Sequence, residues 1–272
     1  MDWNVETERR TRMCAAYLAT GLVLLALGAP AARAASDVKK IEQQYGVLGT
    51  GSEEGRRLKA QMDRVSRGIT VAVNTQYPQR GFHLRSAKIL GGRSAQGDRM
   101  VNAFALPDGR IYVTLGLLRA IQDSPRSDDE LAFVVGHEVT HVVERHAASQ
   151  RKKGLPADIA AILLGALTKN KAVGDLATAG ASAYTSHYSR EDEYRADRGG
   201  IKAMDGAGYD PEAAITMLER LQKLGGEQNK LINGWFGSHP LTENRIARIK
   251  QTIAELKAGS AIPSPDRSNE ER

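Results

Sequence analysis

Hydrophobic and polar positions divide the chain into stretches with two different periods. Apolar residues recur every three to four positions across Asp37–Tyr45 and Glu53–Arg67, on a highly charged background, which predicts two helices. Gly46–Gly55 between them reads as a loop. Its glycines could suggest phosphate binding, but neither a G-K-[ST] nor a following strand pattern supports that. From Phe82 the period shortens. Phe82–Leu90 reads as a strand with Gly91-Gly92 as its turn, and Met100–Leu106 and Arg110–Thr114 alternate and are β-rich. Pro107-Asp108-Gly109 is expected to join the last two as a hairpin, and Gly116–Asp123 is a short helix.

The rest of the chain returns to helical spacing. Ser127-Asp128-Asp129-Glu130 has the S-x-x-E form of a capping box and opens a helix expected to run to about Lys153. Asp158–Leu167 is strongly apolar but too short to span a bilayer, so it reads as a buried hairpin helix, with a peripheral membrane contact as the alternative. Ala172–Ser186 is rich in small residues and helical. Ser189–Ala207 is a helix ended by Gly206 and Gly208, and Pro211–Leu224 is a helix with Pro at its start. Gly225–Pro240 is a loop holding Trp235 and Phe236, and Leu241–Leu256 is a charged amphipathic helix. The expected fold class is α+β: mostly α-helical, with a small β-sheet beside the helix that starts at Ser127.

Composition narrows this picture. The chain has 272 residues, 41% of them hydrophobic, enough for one domain with a real core. The net charge of +6 is spread along the chain and reads as a solvated surface. No nucleic-acid motif is present, so nucleic acid is not an expected partner. Residues 1–35 have the plan of an export signal: Arg9, Arg10 and Arg12, then an apolar run from Cys14 to Leu27, then Ala32-Arg33-Ala34 as a cleavage site. An uncleaved anchor is the alternative. Cys14 stands at the start of the apolar run and not after it, which argues against a lipoprotein. It is the only cysteine, so a chain that loses the export signal has none and disulfides are excluded from it. Residues 36–257 form the expected domain, and 258–272 a disordered tail rich in Ser, Pro and charge.

The candidate chemistry sits in the Ser127 helix. His137-Glu138-Val139-Thr140-His141 is H-E-x-x-H. Four residues are a little over one helical turn, so His137 and His141 share a face and can hold one Zn²⁺, with Glu138 as general base to an attacking water. A catalytic zinc takes a third protein ligand. Glu191-Asp192-Glu193-Tyr194-Arg195-Ala196-Asp197 offers one on a second helix. Glu193 and Asp197 lie on one face, so Glu193 can bind metal while Asp197 orients His137 or His141. A merely solvated charged face is the alternative. His83, His146 and His187 are not expected as ligands; on a continuous helix His146 is about 140° off the metal face.

These residues, with Asn102-Ala103-Phe104-Ala105-Leu106-Pro107 before them and Ser238-His239-Pro240 and Arg245 after them, resemble the M-48 peptidase family. The resemblance covers about Phe82–Ile249. It implies a zincin-type (gluzincin) fold and a zinc-dependent endopeptidase acting on proteins or peptides, in an exported, protease-only form engaged in quality control of the periplasm or envelope. His137, His141 and Glu193 would then bind zinc and Glu138 would activate water. Asn102, Ala103 and Phe104 would pair with extended substrate along a strand edge. Arg245 would stabilise the oxyanion, and His239 would either share that role or occupy the fourth zinc position at rest. A zinc-bound holdase or scaffold, and a peripheral membrane-binding protein, are the rivals.

Overall fold

The computed structural model describes residues 30–95, 97–147, 188–224, 239 and 243–260. The first helix, α1 (Pro30–Tyr45), carries residues up to Ile41 that belong to a separate unit; the unit from Glu42 onward holds everything that follows. α2 (Glu53–Gln76) starts at Ser52, whose Oγ accepts from the Gly55 N–H at 3.0 Å, and places Glu53 and Glu54 in its first turn, where the helix dipole favours them. It continues past the expected end at Arg67. Gly68 and the β-branched residues after it weaken local helix propensity, but Ile69 and Val73 are fully buried, so packing overrides that preference.

Three strands follow: β1 (Ser86–Leu90), β2 (Ala103–Ala105) and β3 (Arg110–Thr114), in the order β1-β3-β2. β2 and β3 form the expected hairpin, with Phe104 opposite Tyr112. Its turn needs Gly109, which adopts φ 88 and lies where a Cβ would strike the His83 carbonyl. β1 begins later than expected because the Phe82 N–H donates to Asn74 Oδ1 (2.6 Å) and the Phe82 carbonyl accepts from Asn74 Nδ2 (3.0 Å), which ties it to α2 instead of the sheet. β1 also pairs parallel with β3, so Gly91-Gly92 ends a strand without folding a hairpin. α3 (Leu115–Ile121) is capped by Thr114.

α4 (Ser127–Val143) runs through the centre of the unit, with Leu131–Val135 wholly buried. The expected capping box at its start does not form. Glu130 is instead drawn inward to Arg220 Nε (3.1 Å) and the Ser124 hydroxyl (2.9 Å). The helix also stops well before Lys153. The residue that turns the chain is Arg145, at φ 55. α5 (Arg190–Gly206) does open with a capping box, made by Ser189 and Asp192. α6 (Ala213–Leu224) and α7 (Glu243–Ser260) complete the described elements.

α4 and α5 cross with their backbones almost in contact. A Cβ on Gly136 would lie 3.0 Å from Gly200 Cα, and one on Gly200 would lie 2.9 Å from the His137 nitrogen. Only glycine at both positions permits this approach, and it sets the functional residues of both helices side by side. Around the crossing, Leu58, Met62, Val65 and Ile69 of α2, Ile111 and Val113 of β3, and Met217 and Leu221 of α6 close the apolar core. The architecture is the expected α+β class, mostly helical with a small sheet. Residues 1–29 of the expected export signal, Asp158–Leu167, Ala172–Ser186, Trp235, Phe236 and residues 261–272 lie outside the described residues; α7 continues to Ser260, past the expected tail start at Ala258. Among the described residues no helix is long and apolar enough to cross a membrane.

Candidate active site

α4 brings His137 Nε2 and His141 Nε2 to 3.0 Å from each other. α5 adds Glu193, whose Oε1 lies 3.4 Å from His141 Nε2 and whose Oε2 lies 3.6 Å from His137 Nε2. His239 Nδ1 completes the group, 3.2 Å from His137 Nε2 and 3.1 Å from Glu193 Oε1. One ligand atom from each of the four lies within 4.8 Å of all the others, and all four residues are buried. Tetrahedral zinc with bonds of about 2.0–2.2 Å has ligand–ligand edges of roughly 3.3–3.6 Å. The observed spacings bracket that edge, and three imidazoles with one carboxylate are donors zinc accepts. The residues therefore fit the ion.

The outer ring nitrogens are held differently. His137 Nδ1 meets Asp197 Oδ1 at 3.0 Å, so of the two histidines Asp197 could orient, it faces His137. Asp197 is gripped by Arg245, whose Nε donates to Oδ2 (2.8 Å) and whose Nη2 donates to Oδ1 (2.7 Å). Arg245 Nη1 reaches Glu193 Oε2 at 2.9 Å and the His239 carbonyl at 3.4 Å. The Arg245 guanidinium, 1% exposed, is engaged by two carboxylates and a carbonyl, and it acts as a clamp across α5 and α7.

His141 Nδ1 meets His146 Nδ1 at 2.8 Å. The angular argument that put His146 away from the metal face assumed a continuous helix; because α4 ends at Val143, His146 folds back beside His141 without joining the four-atom group. Tyr188 stacks on His141 with ring centroids 3.7 Å apart and lies 5.6 Å from the His239 ring. The sequence signal for Tyr188 was its position immediately before the Ser189 cap, which fixes how the chain enters α5. His83 is not in the group, and His187 lies outside the described residues.

Glu138 Oε1 lies 3.2 Å from His239 Nε2. Burial pushes the Glu138 carboxyl above its usual range, against the pull of His239 and His137. Burial acts on Glu193 in the same direction, but His239, His141 and His137 outweigh it and hold Glu193 well below the carboxylate range. One carboxylate thus stays ionised within the donor group while its neighbour is the better proton acceptor.

β2 packs on α4 at the sheet edge. The Asn102 carbonyl accepts from the Thr114 N–H (3.0 Å) and the Leu106 N–H donates to the Arg110 carbonyl (2.8 Å), so the even-numbered residues face β3. By alternation, Ala103 and Ala105 turn their backbone groups to the other edge, which pairs with no strand among the described residues. The Asn102 side chain folds back there, its Oδ1 accepting from the Ala103 N–H at 2.9 Å, while Phe104 stacks on Tyr112 at 4.9 Å.

A family model, peptidase family M48, matches residues 59–253. The chain is 37% identical over 152 residues to the mitochondrial metalloendopeptidase OMA1 of Arabidopsis thaliana, covering 56% of this chain and 29% of that protein. It is 31% identical over 170 residues to the protein of the same name from Schizosaccharomyces pombe, covering 59% and 46%. It is 26% identical over 166 residues to the beta-barrel assembly-enhancing protease of Escherichia coli, covering 58% and 33%. The chain spans less than half the length of these curated relatives.

Proposed function

The chain belongs to peptidase family M48, and from that premise we propose that it is a zinc-dependent metalloendopeptidase of the bacterial envelope, exported by its N-terminal segment and cleaving envelope or membrane proteins in quality control. The observation that carries the reading is the buried group of His137, His141, Glu193 and His239 with the Glu138 carboxylate beside it. His137, His141 and Glu193 would hold the metal. Zinc, when bound, supplies a Lewis acid that makes water nucleophilic near neutral pH and polarises the scissile carbonyl. Glu138 takes the proton from that water and returns it to the leaving amine. Extended substrate lies along the β2 edge that pairs with no strand among the described residues, against the Ala103 carbonyl and the Ala105 backbone groups, with the Asn102 amide adding a contact beside them.

The test is casein cleavage by the full chain, with and without chelator, beside Glu138→Gln. The variant is expected to keep zinc and fold but to lose about 10²–10⁴-fold in kcat, because an amide cannot take the proton. An active Glu138→Gln protein would sink the mechanism. A wild type that binds zinc and misfolded proteins without cleaving them would favour the holdase.

At rest His239 would complete the donor group beside His137, His141 and Glu193. Supporting this are Nδ1 within the donor group and Nε2 directed at Glu138, a pose that substrate must displace. His239→Ala is then expected to speed cleavage of small peptides and weaken zinc retention. A fall of about 10²–10³ in kcat with zinc unchanged would make it an oxyanion donor instead.

A further inference from the structure

His146 holds a position that the proposed reaction does not use. The chain reaches it through Arg145, whose φ of 55 is uncommon for a residue with a side chain. That turn folds His146 back into the protein, where it is 1% exposed and its Nδ1 stands 2.8 Å from His141 Nδ1. Proton placement follows from the ligand role of His141. If His141 presents Nε2 to the zinc site, that nitrogen carries no proton and the neutral ring holds its proton on Nδ1. His141 then donates to His146, and His146 must accept at Nδ1. The proton of His146 therefore sits on Nε2, the atom facing Asp192 Oδ1 at 3.8 Å.

Asp192 is itself fixed. It is wholly buried, bound by Arg195 Nη2 at 2.7 Å and by the Ser189 hydroxyl at 2.8 Å, and it closes the capping box of α5 next to Glu193. The geometry points to His146 as a positioning residue for His141: a neutral imidazole that sets the tautomer and ring orientation of its partner, as Asp197 does for His137. The inference rests on the zinc site proposed above. It also gives the left-handed Arg145 a purpose, since a helix continued through this residue would carry His146 away from His141.

The experiment is equilibrium competition for zinc between the full chain and a chromophoric chelator, with melting of each metal-free protein as the check on folding. His146→Leu keeps volume and removes the acceptor, and is expected to weaken zinc binding about 10–100-fold. His146→Asn can put its Oδ1 where Nδ1 stood and should recover most of the loss. His146→Gln places its oxygen nearer the Nε2 position and should behave like leucine. The inference is overturned if the leucine or glutamine variant binds zinc as tightly as wild type, or if the asparagine variant binds as weakly as leucine. Should the leucine variant fail to fold, the asparagine and glutamine pair decides alone. A wild type that takes up no zinc removes the metal site and this inference together. Variants indistinguishable from a zinc-binding wild type remove this inference only.

Discussion

Leu131–Val135 and His137–His141 follow one another on α4 and are almost equally shielded from water, yet they are held by opposite means. The first segment is apolar and packs into the core formed with α2, the sheet and α6. Its stabilisation is non-directional and scales with area, so neighbours can shift to fill a small loss. The second is polar at every position but Val139, and its polar side chains meet named partners: His137 meets Asp197, Asp197 and Glu193 meet Arg245, and His141 meets His146. Such a layer does not relax into a loss. Removing one group leaves another polar group dry and without its counterpart.

Arg245→Met is the largest test of that difference. Methionine keeps much of the volume, but Asp197 and Glu193 lose their shared cation. The metal-free protein is expected to lose about 3–5 kcal/mol in chemical denaturation. Zinc affinity should fall as well, because both carboxylates gain freedom to move. A variant as stable as wild type would mean that charge matching does not hold this layer. Leu131→Ala gives the counterpart in the apolar segment. It should cost about 3 kcal/mol through the cavity it leaves. The molecules that remain folded should bind zinc as tightly as wild type. Loss of zinc affinity in this variant would merge the two segments into one unit.

Legibility from sequence divides along the same line. Among the described residues, periodicity located the helices and the β2–β3 hairpin because repeated apolar spacing is a local signal. H-E-x-x-H pointed to His137 and His141 because their spacing within one helix fixes their geometry. Contacts made by tertiary meetings were much less legible. Ser127-x-x-Glu130 and Ser189-x-x-Asp192 share one capping pattern, but only the second closes, because Arg220 on α6 claims Glu130. His146 was misplaced by an ideal-helix angle, since nothing local announced the left-handed Arg145. Arg245 belonged to a recognisable segment, but its role depended on which carboxylates α5 would deliver to it. The Gly136–Gly200 contact was not legible as a crossing, because isolated glycines in two helical stretches do not reveal that they meet.

The smallest expected effect lies on the sheet edge, at Asn102. This residue joins the two modes of burial: its backbone is laddered to Thr114 in the sheet, and its side chain covers the Ala103 N–H on the edge that faces away from β3. Asn102→Ala removes that one side-chain bond and leaves the ladder in place. A single neutral hydrogen bond contributes about 0.5–1.5 kcal/mol net, so the change in kinetics should be roughly 2–10-fold. Because the edge holds substrate in the ground state and the transition state alike, KM should rise at least as much as kcat falls. Stability should drop by no more than that same bond. The measurement is steady-state cleavage of a peptide series of increasing length, since only substrates long enough to lie along β2 should respond. Unchanged kinetics for the longest peptide would make Asn102 a purely structural start to the strand and would remove the edge from the substrate path.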